Sequence, residues 1–315
     1  MNEKFDRASF FTRPAVVCLT AAFCCLLWGS AFPAVKLGYA RLSIAAEDSA
    51  AQIMYAGLRF LIAGRLVLFF RSVFGKEHMV PQRGMWPSVA KLAVVQTVIQ
   101  YFFFYVGVAN TSGVRSSIIT ASNAFWAILF AALLFKGEKL GVQKMLGCGL
   151  GLLGVTVINL AGLAEGSLSF WGEGAVFLAA AANGLAAPMI KSYAARENPT
   201  ILCGYQFLIG GAVLTIGGLL AGGTFPRFDL PSVLILLYLS GLSAAATTLW
   251  SLLTKYNPVG RIAVFSFLIP VFGVVLSAIL LQEKNQAFTM QGLLALILVS
   301  GGIFLVNRSS MSEEK

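Results

Sequence analysis

The chain has 315 residues, of which 58% are hydrophobic and only 11% are charged, and its mean hydropathy is +0.81. Soluble globular domains carry about a quarter charged residues, so this composition excludes a soluble protein and indicates an integral membrane protein. The formal net charge of +10 is expected to reflect membrane topology and contact with anionic lipids, and no nucleic-acid binding is predicted.

Ten apolar segments are long enough to cross about 30 Å of hydrocarbon as helices, which takes about 20 residues each. In chain order they cover residues 15–35, 52–71, 88–109, 113–135, 142–162, 171–190, 199–222, 231–252, 260–282 and 289–307. Only a short turn separates the third segment from the fourth. The sequence therefore predicts an all-α integral membrane protein with ten transmembrane helices.

Positive charge is distributed unevenly between the predicted loops. The N-terminal segment carries Lys4, Arg7 and Arg13 and lacks the cleavage site of a signal peptide, so the first helix is expected to remain as an anchor. With the N-terminus in the cytoplasm, most of the 23 Lys and Arg residues fall in inner segments, as the positive-inside rule requires. This predicts a multi-pass protein of the cell (plasma or inner) membrane with both termini cytoplasmic.

Several stretches of the first half recur in the second half at similar spacing. Residues 57–64 and 204–211 are near copies, and Trp28-Gly29 through Pro33 and Lys36 matches Asn183-Gly184 through Pro188 and Lys191. Glu138, Met145 and Gly147 match Glu283, Met290 and Gly292. A repeat with an odd number of spans must insert upside down relative to its copy. We therefore expect two inverted five-helix repeats, residues 1–162 and 163–315.

The residue types needed for metal, phosphate or disulfide chemistry are not arranged for it. The five cysteines lie within predicted spans, the single histidine, His78, lies in a predicted loop, and neither metal-ligand spacings nor a phosphate-binding loop occur. The sequence predicts no metal, no cofactor and no ATP hydrolysis.

Four motifs together resemble the drug/metabolite transporter superfamily, EamA-type. They are residues 28–36 (WGSAFPAVK), 59–64 (RFLIAG), 135–140 (FKGEKL) and the helix from Pro270 to Glu283. The resemblance covers nearly the whole chain and implies a ten-helix carrier, with export as the direction. One departure is that the family's fourth helix usually carries a proline where this chain has Phe125. Whether the nearby Asn123 replaces the missing proline as a hinge stays open.

In inverted-repeat transporters the substrate binds near the midplane, where Gly or Pro interrupts matched helices. This description selects Trp28, Ser30 and Pro33 in the first helix, and Asn183 and Pro188 in the sixth. An alternative is that these small residues and prolines only permit close packing and a bend. Trp28 lies away from the interfacial belt where tryptophan is usual, which favours a ring that faces a ligand.

Arg59 is the most informative single residue. A cation this far inside a membrane helix is costly and indicates a functional site. The alternative is an arginine that snorkels or binds carbonyl groups of neighbouring helices to fix the fold. Its counterpart in the second repeat is Gln206, which is polar but uncharged. Arg65 lies on another face of the same helix and is predicted to be an interfacial anchor.

Other polar and aromatic residues within the spans are further candidates for a mixed binding pocket, and each taken alone is more typical of helix packing. They are Gln96, Gln100 and the aromatic run 101–105 in the third helix, Asn123 and Trp126 in the fourth, Thr247, Thr248 and Trp250 in the eighth, and Ser266 with the hinge candidate Pro270 in the ninth. As a set they suit an amphipathic small metabolite such as an amino acid or a drug-like solute.

The sequence therefore predicts a secondary transporter of a small organic metabolite, an exporter across the inner membrane that works by alternating access. Antiport of a proton or a second substrate, and assembly into a homodimer, stay open. A membrane-embedded enzyme acting on a lipid or isoprenoid substrate is the alternative, although the sequence offers no nucleophile or acid–base cluster for it. A channel is disfavoured because charged rings and a filter-like segment are missing.

Overall fold

The computed structural model describes residues 7–74, 80–134, 141–165, 168–194, 196–224, 227–257, 262 and 264–313. Throughout these residues the regular structure is helical, and no strand occurs among them. Seven helices are long and apolar enough to cross a membrane, and three further apolar helices are shorter. The all-α membrane fold is thus confirmed, and the predicted count of ten spans is compatible with it. His78 and the motif at residues 135–140 lie outside the described residues.

The helices that correspond to the ten predicted spans are named α1 to α10. They are α1 Pro14–Leu42, α2 Ser49–Phe74, α3 Trp86–Leu92 continuing through Ala93–Ile99 and Gln100–Asn110, α4 Gly113–Thr120 and Asn123–Leu134, α5 Val142–Glu165, α6 Phe170–Gly174 continuing through Ala175–Ala194, α7 Pro199–Leu220, α8 Leu230–Tyr256, α9 Val264–Phe267 continuing through Leu268–Leu280, and α10 Met290–Glu313. Most ends differ from the predicted ones by a few residues. The first helix is the largest exception, because it continues to Leu42.

Four helices depart from regular α-helical geometry at positions not predicted from the sequence. Helix α6 begins with a π-helical segment, Phe170–Gly174. Residues 93–99 of α3 form a π-helical segment, and α9 begins with a 3₁₀ turn over Val264–Phe267. In α4 the amide of Ser122 donates to Ile119 O (3.0 Å) and the amide of Phe125 donates to Ser122 O (3.0 Å). These three-residue steps interrupt α4 without any proline. Phe125 itself packs its ring against Gly151 of α5.

Equivalent helices of the two halves of the chain make equivalent contacts. Helix α2 packs against α7, and α5 packs against α10. Helix α1 packs against α8 and α9, and its counterpart α6 packs against α3 and α4. The pattern is unchanged when helices α1–α5 are exchanged for α6–α10.

Glycines of the two near-identical stretches form the α2–α7 contact. A Cβ atom placed on Gly57 would lie 2.8 Å from the carbonyl oxygen of Gly211, and one on Gly211 would lie 2.9 Å from that of Gly57. The second pair behaves in the same way, since a Cβ on Gly64 would lie 2.8 Å from the carbonyl oxygen of Gly204. Lipid provides no hydrophobic force between helices, so such close backbone approach is a main source of their association.

Gly29 and Gly184, matched in the sequence repeats, also permit close packing. A Cβ on Gly29 would lie 2.7 Å from Cβ of Phe272 in α9, and one on Gly184 would lie 2.4 Å from Cβ of Trp126 in α4. The packing role that the sequence left open for these glycines is therefore present in the structure.

The α2–α7 contact gives a direct stability prediction. We expect Gly211→Ala to destabilise the protein, because the new Cβ would lie 2.7 Å from the Leu61 amide nitrogen and overpacking costs about 1–3 kcal/mol. Gly217→Ala on the same helix is the matched control, since nothing lies within 4 Å of its Cβ position. Thermal unfolding in detergent should show a lower midpoint for Gly211→Ala only. Equal midpoints for the two variants would contradict the packing role.

Candidate functional site

The Arg59 guanidinium lies inside the bundle and joins three helices. The residue is 3% exposed. Nε donates to the carbonyl oxygen of Leu239 (3.1 Å) and Nη2 donates to Ser243 Oγ (2.8 Å), both on α8. Nη1 donates to Tyr105 Oη on α3 (2.8 Å). The carbonyl binding that the sequence analysis gave as the structural alternative is therefore present.

These partners leave part of the guanidinium's capacity unused. A guanidinium has five N–H donors, and each nitrogen of Arg59 makes one hydrogen bond. One N–H on Nη1 and one on Nη2 therefore have no acceptor within the described part of the chain. All three acceptors are neutral, and no carboxylate pairs with Arg59 among these residues. The site is a buried positive charge that can accept an anionic group.

Aromatic rings surround this charge. The Arg59 Cζ atom lies 5.0 Å from the ring centre of Phe60, 6.0 Å from that of Tyr101 and 5.9 Å from that of Tyr105. The hydroxyl of Tyr39 donates to the carbonyl oxygen of Tyr105 (2.9 Å) and so connects α1 to this aromatic layer, the rings around Arg59. Ring faces stabilise a nearby cation, which helps to offset the missing counter-charge.

Two buried amides lie next to this aromatic layer. The Phe60 ring packs against the rings of Tyr101 (4.0 Å) and Phe207 (5.1 Å), which directly follow Gln100 and Gln206 in the chain. Gln100 is 7% and Gln206 3% exposed, and the Oε1 atom of each has no hydrogen-bond partner among the described residues. Buried acceptors without a donor are costly, so these two oxygens are candidate contacts for a donor group of a ligand.

Several of the sequence-predicted residues meet at the α1–α8 contact. The rings of Trp28 and Trp250 lie 5.1 Å apart at 61°, and the hydroxyls of Ser30 and Tyr238 are 2.6 Å apart. Thr247, also on α8, interacts with the thiol of Cys203, which Gln206 contacts as well. Thr247 is therefore connected to Gln206 through Cys203.

Ser266 lies in the 3₁₀ turn that starts α9, and this turn rests against α1. The thiol of Cys25 in α1 donates to the carbonyl oxygen of Phe265 (3.2 Å). Pro270 is buried one turn further along α9. Pro33 and Pro188 are buried within the continuous helices α1 and α6.

The remaining predicted residues belong to other helix contacts. Trp126 stacks on Phe130 (5.6 Å) and meets Phe177 edge-on (5.5 Å), and with Asn123 and Asn183 it lies where α4 meets α6 at Gly184. Gln96 is half-buried in the π-helical segment of α3. Arg65 is exposed, as expected for an anchor, while Arg59 is buried on the same helix. Binding roles for all these residues stay predictions.

An ion-pair cluster at one end of the bundle was not predicted from the sequence. Lys36 pairs with Glu283 (3.6 Å), and Arg115 pairs with Glu173 (3.0 Å). The sequence marks Lys36 and Glu283 as candidates, because each lies in a stretch that recurs in the other half of the chain.

The sequence model of the EamA-like transporter family matches residues 15–160 and again residues 170–308. An uncharacterized transporter, YvbV, of Bacillus subtilis (strain 168) is 26% identical over 310 residues, which cover 94% of this chain and 93% of that protein. A probable amino-acid metabolite efflux pump of Escherichia coli (strain K12) is 24% identical over 295 residues, which cover 89% and 91%. One solved crystal structure superposes with a TM-score of 0.63 at 18% identity over 93% of this chain and 98% of that chain, which supports the fold.

The family match spans nearly the whole chain and confirms the resemblance found in the sequence motifs. It also identifies the protein as a multi-pass membrane transporter of small solutes and gives no support to an enzyme acting on lipid. The chain belongs to the EamA-like transporter family.

Proposed function

We propose that this transporter carries a small organic metabolite with a carboxylate group, with amino acids as the leading class, and that it exports this solute by alternating access. The observation that carries the proposal is the buried Arg59 guanidinium, which has neutral partners and two unused N–H donors. A substrate carboxylate would fill this unused capacity with charge-assisted hydrogen bonds, which are roughly twice as strong as neutral ones.

The unpaired amide oxygens extend the argument from an anion to a zwitterion. Oε1 of Gln100 and Oε1 of Gln206 lack donors among the described residues, and a substrate ammonium group has three N–H donors. The aromatic rings close to Arg59 suit an apolar substrate side chain or a drug-like ring. The named relative from Escherichia coli is a probable amino-acid metabolite efflux pump, which is consistent with this class.

Alternating access follows from the two halves, residues 1–162 and 163–315, acting as inverted repeats. The family model matches once in each half, and the helix contacts have the same pattern in both. In this proposal the halves rock about the α2–α7 contact and expose Arg59 to one side and then the other. The positive-inside bias supports an inner-membrane location with both termini in the cytoplasm.

The test for the substrate class is counterflow in proteoliposomes with matched analogues. A panel would contain neutral amino acids, their carboxyl amides and their N-acetyl forms. We expect Arg59→Gln to reduce amino-acid counterflow by on the order of thirtyfold or more, because removing one partner of a buried charge pair costs about 2–5 kcal/mol. Carboxyl amides should be poor substrates of the wild type and should be little affected by Arg59→Gln.

Arg65→Gln is the control, since it removes the same charge from an exposed position on the same helix. Arg59→Lys keeps the charge but loses the planar fork and should give intermediate counterflow. Wild-type counterflow in a folded Arg59→Gln variant would refute the binding role. Failure of both Arg59 variants to fold would show that the residue is structural.

The buried prolines of α1 and α6 give a second test, of mechanism. Alanine restores an N–H donor and favours a straight helix, so Pro33→Ala and Pro188→Ala should each slow net transport while changing equilibrium affinity by no more than a few fold. The two variants should favour opposite open faces, because the repeats are inverted.

Pro231→Ala is the control, as Pro231 lies in the first turn of α8, where proline is compatible with a helix. Accessibility of Ala31→Cys and Ala186→Cys to reagents added from each side would show which face is open in each proline variant. A shift of both proline variants toward the same face would show that they are not paired hinges.

A further inference from the structure

The ion-pair cluster joins the two halves of the chain at one end of the bundle. Lys36 lies in the last two turns of α1, and Glu283 follows the end of α9. Arg115 lies in the first turn of α4, and Glu173 lies in the first turn of α6. Each pair therefore consists of a cation from residues 1–162 and a carboxylate from residues 163–315.

Glu283 also binds the start of α4. Its two carboxylate oxygens accept from the amides of Gly113 (3.1 Å) and Val114 (2.9 Å), which are orphan donors of a helix N-terminus. A carboxylate at this end of a helix is further stabilised by the helix dipole. Glu283 thus holds α1, α4 and α9 together through a single side chain.

Glu173 makes a second junction beside the first. Its carboxylate accepts from Thr111 Oγ1 (2.7 Å), from Arg115 Nη1 (3.0 Å) and from the amide of Ser169 (3.2 Å). The Lys36 ammonium donates to the carbonyl oxygen of Thr111. The α3–α4 connection is therefore held from both sides.

These pairs are partly shielded from water and lie beside a tightly packed contact. The exposed fractions of the paired side chains are 24% and 14% for Lys36–Glu283, and 24% and 11% for Arg115–Glu173. Beside them, a Cβ on Gly113 would lie 2.6 Å from Ser277 Oγ, so α4 and α9 approach closely. Partly buried pairs are screened less by salt than exposed ones.

We propose that this cluster is the latch that closes one end of the transport path. The inference rests on the proposed alternating access, in which the halves must separate at each end in turn. At this end α1 lies against α9 and α4 lies against α6. Glu283 and Lys36 bridge these two helix pairs through their bonds to the start of α4 and to the carbonyl oxygen of Thr111. Separation breaks these bridges, which the two ion pairs hold in position. Closure at this end therefore directs substrate entry and release to the opposite end until the latch opens.

The experiment measures opening directly and needs no substrate. In a variant whose five native cysteines are replaced by serine, Ala31→Cys on α1 provides a buried reporter. Its reaction rate with an impermeant maleimide is measured from each side in oriented vesicles. We expect Glu283→Gln and Glu173→Gln each to raise the rate from the latch end by on the order of fivefold, the effect of losing about 1 kcal/mol of ion pairing.

Glu47→Gln is the matched control, because Glu47 is exposed in the α1–α2 connection at the same end and its substitution should leave the rate unchanged. If Glu283→Gln does not fold, Arg115→Gln tests the same latch without removing an acceptor of the α4 amides. Unchanged labelling in folded latch variants, or an equal rise in Glu47→Gln, would overturn the proposal. Because the readout is independent of Arg59, its failure is distinguishable from failure of the substrate proposal.

Discussion

Close backbone contact between α2 and α7 is the interaction on which the rest of the bundle depends. Gly57 meets Gly211, and Gly64 meets Gly204, at distances that leave no room for a side chain. In a bilayer such packing is a main source of helix association. Arg59 lies two residues after Gly57, so the same contact sets the depth of the buried charge.

Two charged groups differ in their partners, one at an end of the bundle and one inside it. At the end, Glu173 and Glu283 each have a cation partner and backbone amide donors. Inside the bundle, Arg59 has neutral oxygens and aromatic rings around it. Among the described residues no carboxylate pairs with Arg59, so in the proposed function its guanidinium is left for a substrate anion. In the two proposals, the end cluster controls access and the central site binds the substrate.

The sequence was sufficient for the length and order of the helices, since apolar runs and charge bias act along the chain. It was not sufficient for the break in α4, because no proline marks it and the backbone there changes to three-residue hydrogen-bond steps at Ser122. It also could not identify the Leu239 carbonyl as a partner of Arg59, because a backbone acceptor leaves no trace in residue type. The candidate pocket residues were identified by polarity alone, which does not decide the helix pairs that bring them together. Trp28 consequently meets Trp250, whereas Trp126 lies at the α4–α6 contact.

The central claim is that the two halves rock about the α2–α7 contact, so that one end opens as the other closes. Distances between spin labels, measured by double electron–electron resonance, test it most directly. One label pair is placed at Arg41 and Asn285 near the ion pairs, and the other at Lys91 and Ser192 on the opposite side. All four positions are exposed. On going from wild type to Glu283→Gln, the account predicts that the first distance lengthens and the second shortens. A change in both distances in the same direction, or at one end only, would contradict it.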